Sequence, residues 1–253
     1  MNALPNICRL CLKETTLVKS HIIPEFLYTP MYDKKARRFF VISSDASVPD
    51  RTRQIGIYER LLCAECDGKV LGRYEDYAAK ALNGGTRVGY APVGNELRLC
   101  GVDYAKLKIF YLSLLWRMSV STHLFFKEVK LGSDGEVLRK MILEGRPGEP
   151  GDYGVLCVAP LFDAQPLRDW MLPPDMVQAC GRSVYRCLIG GLLYSFFVGE
   201  AELPPQIAER LMQKDGSWAI IREKIEGIEF LNDWCVRMGG AMNERKRRRG
   251  STL

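Results

Sequence analysis

The densest apolar pattern in the chain places Leu107, Phe110, Tyr111, Leu114, Leu115 and Met118 at helical spacing. Nearly every turn there is apolar on more than one face, which predicts a central helix. Asp103 is positioned to cap it, and the pattern continues to about residue 126. A second helix is expected over 67–82, where Tyr74, Tyr77, Ala78 and Ala81 share a face and Asn83-Gly84-Gly85 ends the run. A third is expected over 136–144, closed by Gly145, and further helices over 204–212 and 218–238. Strand-like stretches occur at 16–19, 38–43, 155–158 and 183–198. The last folds at Gly190-Gly191, a pair suited to a two-residue hairpin. A buried helix with a glycine contact is the competing reading, because short apolar runs do not settle the period.

These elements divide the chain into an N-terminal module at 1–82, a Gly/Pro-broken linker at 83–100, a larger domain at 101–242 and a basic, flexible tail at 243–253. With 253 residues, 47% of them hydrophobic, the chain can bury a full core. The longest apolar stretch, 187–198, is too short to span a bilayer, so no membrane association is expected. The N-terminus lacks a basic segment followed by an apolar core, so no secretory leader is expected either. Nine cysteines, an odd number without secreted-scaffold spacing, point to a reducing cytoplasm. Five of them, Cys100, Cys157, Cys180, Cys187 and Cys235, lie in apolar surroundings and read as core residues.

The other four form Cys8-Arg-Leu-Cys11 and Cys63-Ala-Glu-Cys66. Two Cys-x-x-Cys pairs supply the four thiolates that a tetrahedral Zn²⁺ ion requires, and four thiolates leave no open position for water or substrate. The zinc expected here is therefore structural. His21 follows Cys11 by ten residues, within Ser20-His21-Ile22-Ile23-Pro24.

A Cys-x-x-Cys knuckle, a hairpin ending in His-Ile-x-Pro and a second Cys-x-x-Cys opening a helix resemble the zinc-bound branch of the HNH endonucleases. The matching residues are Cys8, Cys11, His21, Ile22, Pro24, Leu62, Cys63 and Cys66. The resemblance implies a treble-clef, ββα-metal module that hydrolyses phosphodiester bonds, with His21 as general base. It also implies one catalytic divalent ion, Mg²⁺ or Mn²⁺, held by an acidic residue just before the histidine and a histidine just after the last cysteine. Here Ser20 and Asp67 stand at those two positions, and Tyr58, or Glu59 one residue off, stands where an asparagine would orient the base. Asp67 is a hard oxygen ligand suited to Mg²⁺ or Mn²⁺, and equally a plain helix cap. The resemblance covers about 75 residues, the span of the motif.

Charge adds a partner to this picture. The net charge is +6, distributed as +4 over residues 1–100, −2 over 101–242 and +4 over 243–253. Lys34, Lys35, Arg37, Arg38, Arg51 and Arg53 cluster between His21 and Cys63, where cationic side chains would reach a phosphate backbone. A solvated loop is the plain alternative. Only two histidines are present, which excludes histidine-rich metal catalysis. His123 reads as a hydrogen-bonded core residue. Phosphate-cradling loops, a dinucleotide fingerprint and a nucleophile elbow are absent from the sequence.

The expected fold is α+β: a four-cysteine zinc module of HNH type followed by a larger mixed, helix-rich domain. The expected function is metal-dependent endonuclease chemistry, of a kind that serves in defence or mobile elements, with His21 and Asp67 catalytic and nucleic acid as partner. The alternative is a catalytically inactive zinc module that binds nucleic acid or a partner protein, with oligomerisation open. A third reading is a purely structural zinc domain serving the larger one.

Overall fold

Ile7 bridges Glu14 across a tight turn in which Leu12 adopts a left-handed φ of 60°. The computed structural model describes residues 6–33, 35–43, 45–85 and 88–250, the last three by backbone alone. Strand β1 (Leu17–His21) leads into two single-turn helices around Pro24 and Pro30, then into a short hairpin of β2 (Phe39–Val41) and β3 (Arg51–Arg53). Phe39 anchors that hairpin, its ring packing against Tyr28 and Tyr32 with centroids 5.6 and 5.7 Å away. Strand β4 (Tyr58–Cys63) returns antiparallel to β1, with a bulge between Val18 and Ser20. A π-helical stretch, Glu65–Leu71, then runs into α1 (Gly72–Leu82). Asp67 lies inside this helical run and caps nothing; Ala64 is the boundary residue and makes no side-chain cap.

The rest of the chain builds one large sheet. Its elements are β5 (Gly89–Val93), β6 (Glu96–Cys100), α2 (Tyr104–Val120), α3 (Asp134–Glu144), β7 (Gly154–Phe162), β8 (Gln165–Pro166), β9 (Leu172–Ala179), β10 (Arg182–Ile189), β11 (Leu192–Val198), α4 (Pro205–Ala208), β12 (Trp218–Lys224) and α5 (Glu229–Gly250). The strand order is β5-β6-β12-β7-β11-β10-β9, with β8 paired to the end of β7. Every pairing is antiparallel except β12 with β7.

Alternate residues explain why the sheet is buried on both faces. Val155, Cys157, Tyr185, Cys187, Ile189, Tyr194, Phe196, Trp218 and Ile220 join the core around α2. On the opposite face Leu188 and Leu193 meet Ile228, Phe230 and Leu231 at the start of α5, while Val184 and Phe197 meet Leu203 and Leu211. The α2 core is continuous with the N-terminal module and includes Leu10, Ile22, Leu62 and Leu71.

Several expectations change. The larger part is sheet-rich rather than helix-rich, because strands covered on both faces read as continuous apolar runs without visible alternation. Residues 218–224 are strand β12: flanking strands β6 and β7 accept Ile220 and Ile221, and helix begins only at Glu229. Within the expected linker, residues 89–100 form the hairpin β5–β6 at the sheet edge. Helix α2 is capped by Asp103 as expected, its side chain accepting from the Lys106 N–H at 3.0 Å, but it ends at Val120. Only a single turn, Pro205–Ala208, is α-helical in 204–212. Gly190 and Gly191 have φ of 60° and 82°, so the hairpin reading holds there. Residues 243–250 of the expected flexible tail are the end of α5, and Arg245 pins it to the β2–β3 loop through Asp50 Oδ1 at 2.7 Å and the carbonyls of Ser43, Asp45 and Val48. Cys157 and Cys187 are buried, whereas Cys100, Cys180 and Cys235 are exposed. Among the described residues no helix is long and apolar enough to cross a membrane.

Lys108 gives the fold a pH signature. Its ammonium lies inside the α2 core, donating to the Pro150 carbonyl at 3.1 Å. Burial pulls its pKa down to about 7, against the pull of Asp152 and with the help of Arg182. Unfolded, the same lysine keeps its proton to near 10.5, so above pH 7 the unfolded chain binds more protons and native stability rises with pH. Urea unfolding of the zinc-loaded protein is expected to show a gain of at least about 1 kcal/mol over the first two pH units above neutrality. The Lys108→Met variant is expected to lose that gain.

Candidate functional site

Four sulfurs, those of Cys8, Cys11, Cys63 and Cys66, lie within 4.8 Å of one another. The turn after Cys8 supplies the first pair, with the Leu12 N–H bonded to the Cys8 carbonyl. The end of β4 and the first helical turn supply the second. A tetrahedral zinc with bonds of about 2.3 Å holds its sulfurs about 3.8 Å apart; Cys11 and Cys63 are 4.0 Å apart. Backbone N–H groups already point at the thiolates, from Cys63 to Cys8 Sγ at 3.3 Å and from Cys66 to Cys63 Sγ at 3.4 Å. Burial would raise Cys8, but the backbone groups of Cys11, Cys63 and Leu10 outweigh it and bring its pKa to about 7. Burial and the neighbouring thiols push Cys66 up. Four thiolates in one small volume repel each other, and a cation removes that cost. The donor set therefore fits one metal ion such as zinc. Arg139 on α3 donates to the Leu10 carbonyl and lies close enough to Cys11 to feel its charge, tying this centre to the larger part.

His21 ends β1 next to this centre. The bulge between Val18 and Ser20 re-aims the strand, so that Ser20 is buried while His21 is half-buried beside an open cleft of about 600 Å³. Glu25, Lys35, Ala36, Arg37, Gln54 and Ile55 complete the cleft wall. Glu25 Oε2 faces His21 Nε2 at 3.4 Å, off the geometry of a hydrogen bond. Its other oxygen accepts from the Tyr32 hydroxyl at 2.6 Å and has Arg37 at 3.8 Å. Tyr58 meets the imidazole edge-on, with ring centroids 6.4 Å apart.

Behind His21 lies a second, more deeply buried group. Arg117 of α2 donates to Glu75 Oε1 at 2.6 Å and to the His21 main-chain oxygen at 2.9 Å. Asp67 is raised by burial; nearby Ser20, Arg117 and His21 lower it, and Glu75 adds to the rise. Ser20 Oγ approaches Asp67 without the geometry of a hydrogen bond. Six buried side-chain atoms make no hydrogen bond among the described residues, and four of them, Ser20 Oγ, His21 Nε2, Glu25 Oε2 and Arg117 Nη2, belong here. Unpaired buried polar atoms concentrate where function is stored, which singles out this region from the rest of the fold.

The sequence-derived residues are only partly brought together. Lys35 and Arg37 share the cleft with His21, Arg38 is exposed nearby, and Arg51 and Arg53 line the exposed β3 strand. Asp67 lies behind His21 and is not part of the cleft wall. Lys34 lies outside the described residues. Glu59 turns away from His21: burial opposes its charge, but the Ser121 hydroxyl and the groups of Thr122 and His123 hold its pKa low. His123 is half-buried, its Nδ1 accepting from the Phe125 N–H at 3.1 Å. Glu25 and Arg117 went unread in the sequence. The signal for Glu25 is its i+4 spacing from His21 across Pro24, and for Arg117 a cation inside an apolar helix.

The purified chain is expected to carry one zinc per molecule by elemental analysis. Cys63→Ser is expected to lose the metal and the cooperative unfolding of residues 6–82 followed by hydrogen exchange, while the α2 core stays protected. Full zinc occupancy in that variant would refute the four-cysteine centre. The chain matches no protein-family model, no curated protein and no solved structure.

Proposed function

We propose that this protein is a nucleic-acid phosphodiester hydrolase of HNH-like type, with His21 as general base and the zinc centre as its structural clamp. The observation that carries the reading is the pair His21–Glu25, 3.4 Å apart on the wall of a cleft that also presents Lys35 and Arg37. The reading is supported by the strand pair β1–β4, the helix after it and the four cysteines, elements that a treble-clef module also requires.

The chemistry follows from the pair. Glu25, held by Tyr32, faces His21 Nε2 across 3.4 Å, and a proton carried on that nitrogen leaves Nδ1 as the acceptor. Nδ1 takes a proton from water, the resulting hydroxide forms a bond to phosphorus, and the bond from phosphorus to the leaving oxygen breaks. The leaving oxygen takes its proton from the imidazolium or from solvent. Lys35 and Arg37 neutralise phosphate charge at the cleft, and Arg51 and Arg53 extend the cationic surface along the hairpin that Arg245 of α5 pins in place.

A catalytic Mg²⁺ or Mn²⁺ ion does not fit the residues present. Ser20 brings a hydroxyl where a carboxylate ligand is wanted, and Glu75 is ion-paired with Arg117. No step above uses such an ion. The same feature favours a second reading, a catalytically silent module that binds nucleic acid.

Cleavage of fluorescent duplex DNA, single-stranded DNA and RNA by the zinc-loaded protein decides between them. His21→Ala is expected to lower the rate by about 100-fold or more and Glu25→Gln by about tenfold, with binding unchanged. Binding without cleavage, the same in His21→Ala, would replace the hydrolase by the binding module. In anisotropy titrations, the double variant Arg51→Gln/Arg53→Gln is expected to weaken binding and reduce the slope of log K against log salt by about 0.7–0.9 for each phosphate that is no longer neutralised. An unchanged slope would remove the hairpin from the interface.

A further inference from the structure

Arg117 is 1% exposed in the last turn of the most apolar helix of the molecule. A guanidinium does not give up its proton in a protein, so its burial is costly unless carboxylates and carbonyls surround it. Its surroundings are specific. Nη1 bridges Glu75 on α1 and the backbone oxygen of His21 at the end of β1. Its charge also acts on Asp67, in the helical turn that carries the last zinc ligand. Nη2 and Ser20 Oγ are both buried and both unpaired. Arg117 thus binds the backbone of the residue after Ser20 and the carboxylate of Glu75, with Asp67 within reach of its charge; Ser20 and Asp67 are the two positions at which the sequence motif calls for divalent-metal ligands.

We propose that Arg117 is the resident cation of this site and takes the place of the divalent ion. The guanidinium balances Glu75 and Asp67 and fixes the main chain of His21, so the hydrolysis proposed above, on which this last step rests, proceeds without an added metal. A second cation entering the same volume meets a permanent positive charge in a region of low polarisability, and it finds one carboxylate already bound. A serine at position 20, in place of an acidic residue, fits the same scheme: one fixed cation needs fewer anions than a divalent ion does. Arg117 touches no reacting atom in this arrangement. It is a positioning residue that acts through the His21 backbone.

Mn²⁺ binding separates this role from that of an ordinary structural ion pair. Zinc-loaded, full-length protein is titrated with Mn²⁺ and the free ion is followed by electron paramagnetic resonance. Wild type is expected to take up no Mn²⁺ that depends on Asp67. Arg117→Met, with zinc content and circular dichroism retained, is expected to bind one Mn²⁺ at least about tenfold more tightly than wild type, the scale on which one adjacent cation changes a carboxylate's affinity. Adding Asp67→Asn to that variant is expected to abolish the gain. Stoichiometric Mn²⁺ binding by wild type that disappears in Asp67→Asn overturns the proposal, and this comparison stands even where Arg117→Met fails to fold. Arg117→Lys, which keeps the charge, is expected to exclude Mn²⁺ as wild type does; tight binding by it counts against the proposal. Cleavage is then compared in metal-depleted buffer and with Mg²⁺ added. Equal rates support the resident cation. A rate that requires Mg²⁺ overturns it and leaves the hydrolase intact. A chain that cleaves nothing removes the hydrolase, and Arg117 is then decided by the Mn²⁺ titration.

Discussion

Four sulfurs drawn from two turns 52 residues apart have to meet before anything else in the N-terminal part can hold its shape. The strands there are short, two of them only three residues long, and such a hairpin cannot stabilise itself in water. Closing the chain at the cysteines limits the loop between them, and the Phe39, Tyr28 and Tyr32 rings then give the hairpin a local core. The same closure fixes the end of β1 against the first helical turn. His21, Ser20 and Asp67 are therefore neighbours because the cysteines flanking them are.

The second constraint is the fully buried α2. An apolar helix covered on every side joins the N-terminal part to the sheet, with Leu10 and Ile22 in the same core as Tyr194 and Trp218. Two buried cations interrupt it. Lys108 is met by one carbonyl and has its pKa drawn down to about 7, whereas Arg117 is met by a carboxylate and the His21 backbone. The difference is chemical: a lysine can escape burial by losing its proton, and an arginine cannot. Arg117 is tied by this to the acidic residues beside His21, and α2 becomes part of the site as well as its scaffold.

Much of the fold was legible in the chain. The Asp103 cap, the Gly145 stop and the Gly190-Gly191 hairpin act through neighbours a few residues away, the four cysteines are marked by the local spacing of each pair, and each appears in the structure at its expected place. The strand at Trp218–Lys224 was not legible, because Trp-Ala-Ile-Ile suits a helix and a strand alike until β6 and β7 flank it. The basic end of α5 reads as a free arm for the same reason. Nothing local shows that Arg245 will find Asp50 and three carbonyls on a loop nearly two hundred residues earlier.

The candidate site divides along the same line. The cysteine cluster was determined by the sequence itself, since the spacing within each pair is a local pattern, and the His-Ile-x-Pro order marked His21 as a candidate in the same way. Glu25 as the partner of His21 follows from a short turn that the sequence permits but does not enforce. Arg117 meets Glu75 and Asp67 only in three dimensions, because the two carboxylates share one helical run while Arg117 lies 42 residues beyond Glu75, on α2. Burial is a property of the whole packed molecule, and it is burial that turns an arginine in an apolar helix into the fixed charge beside His21.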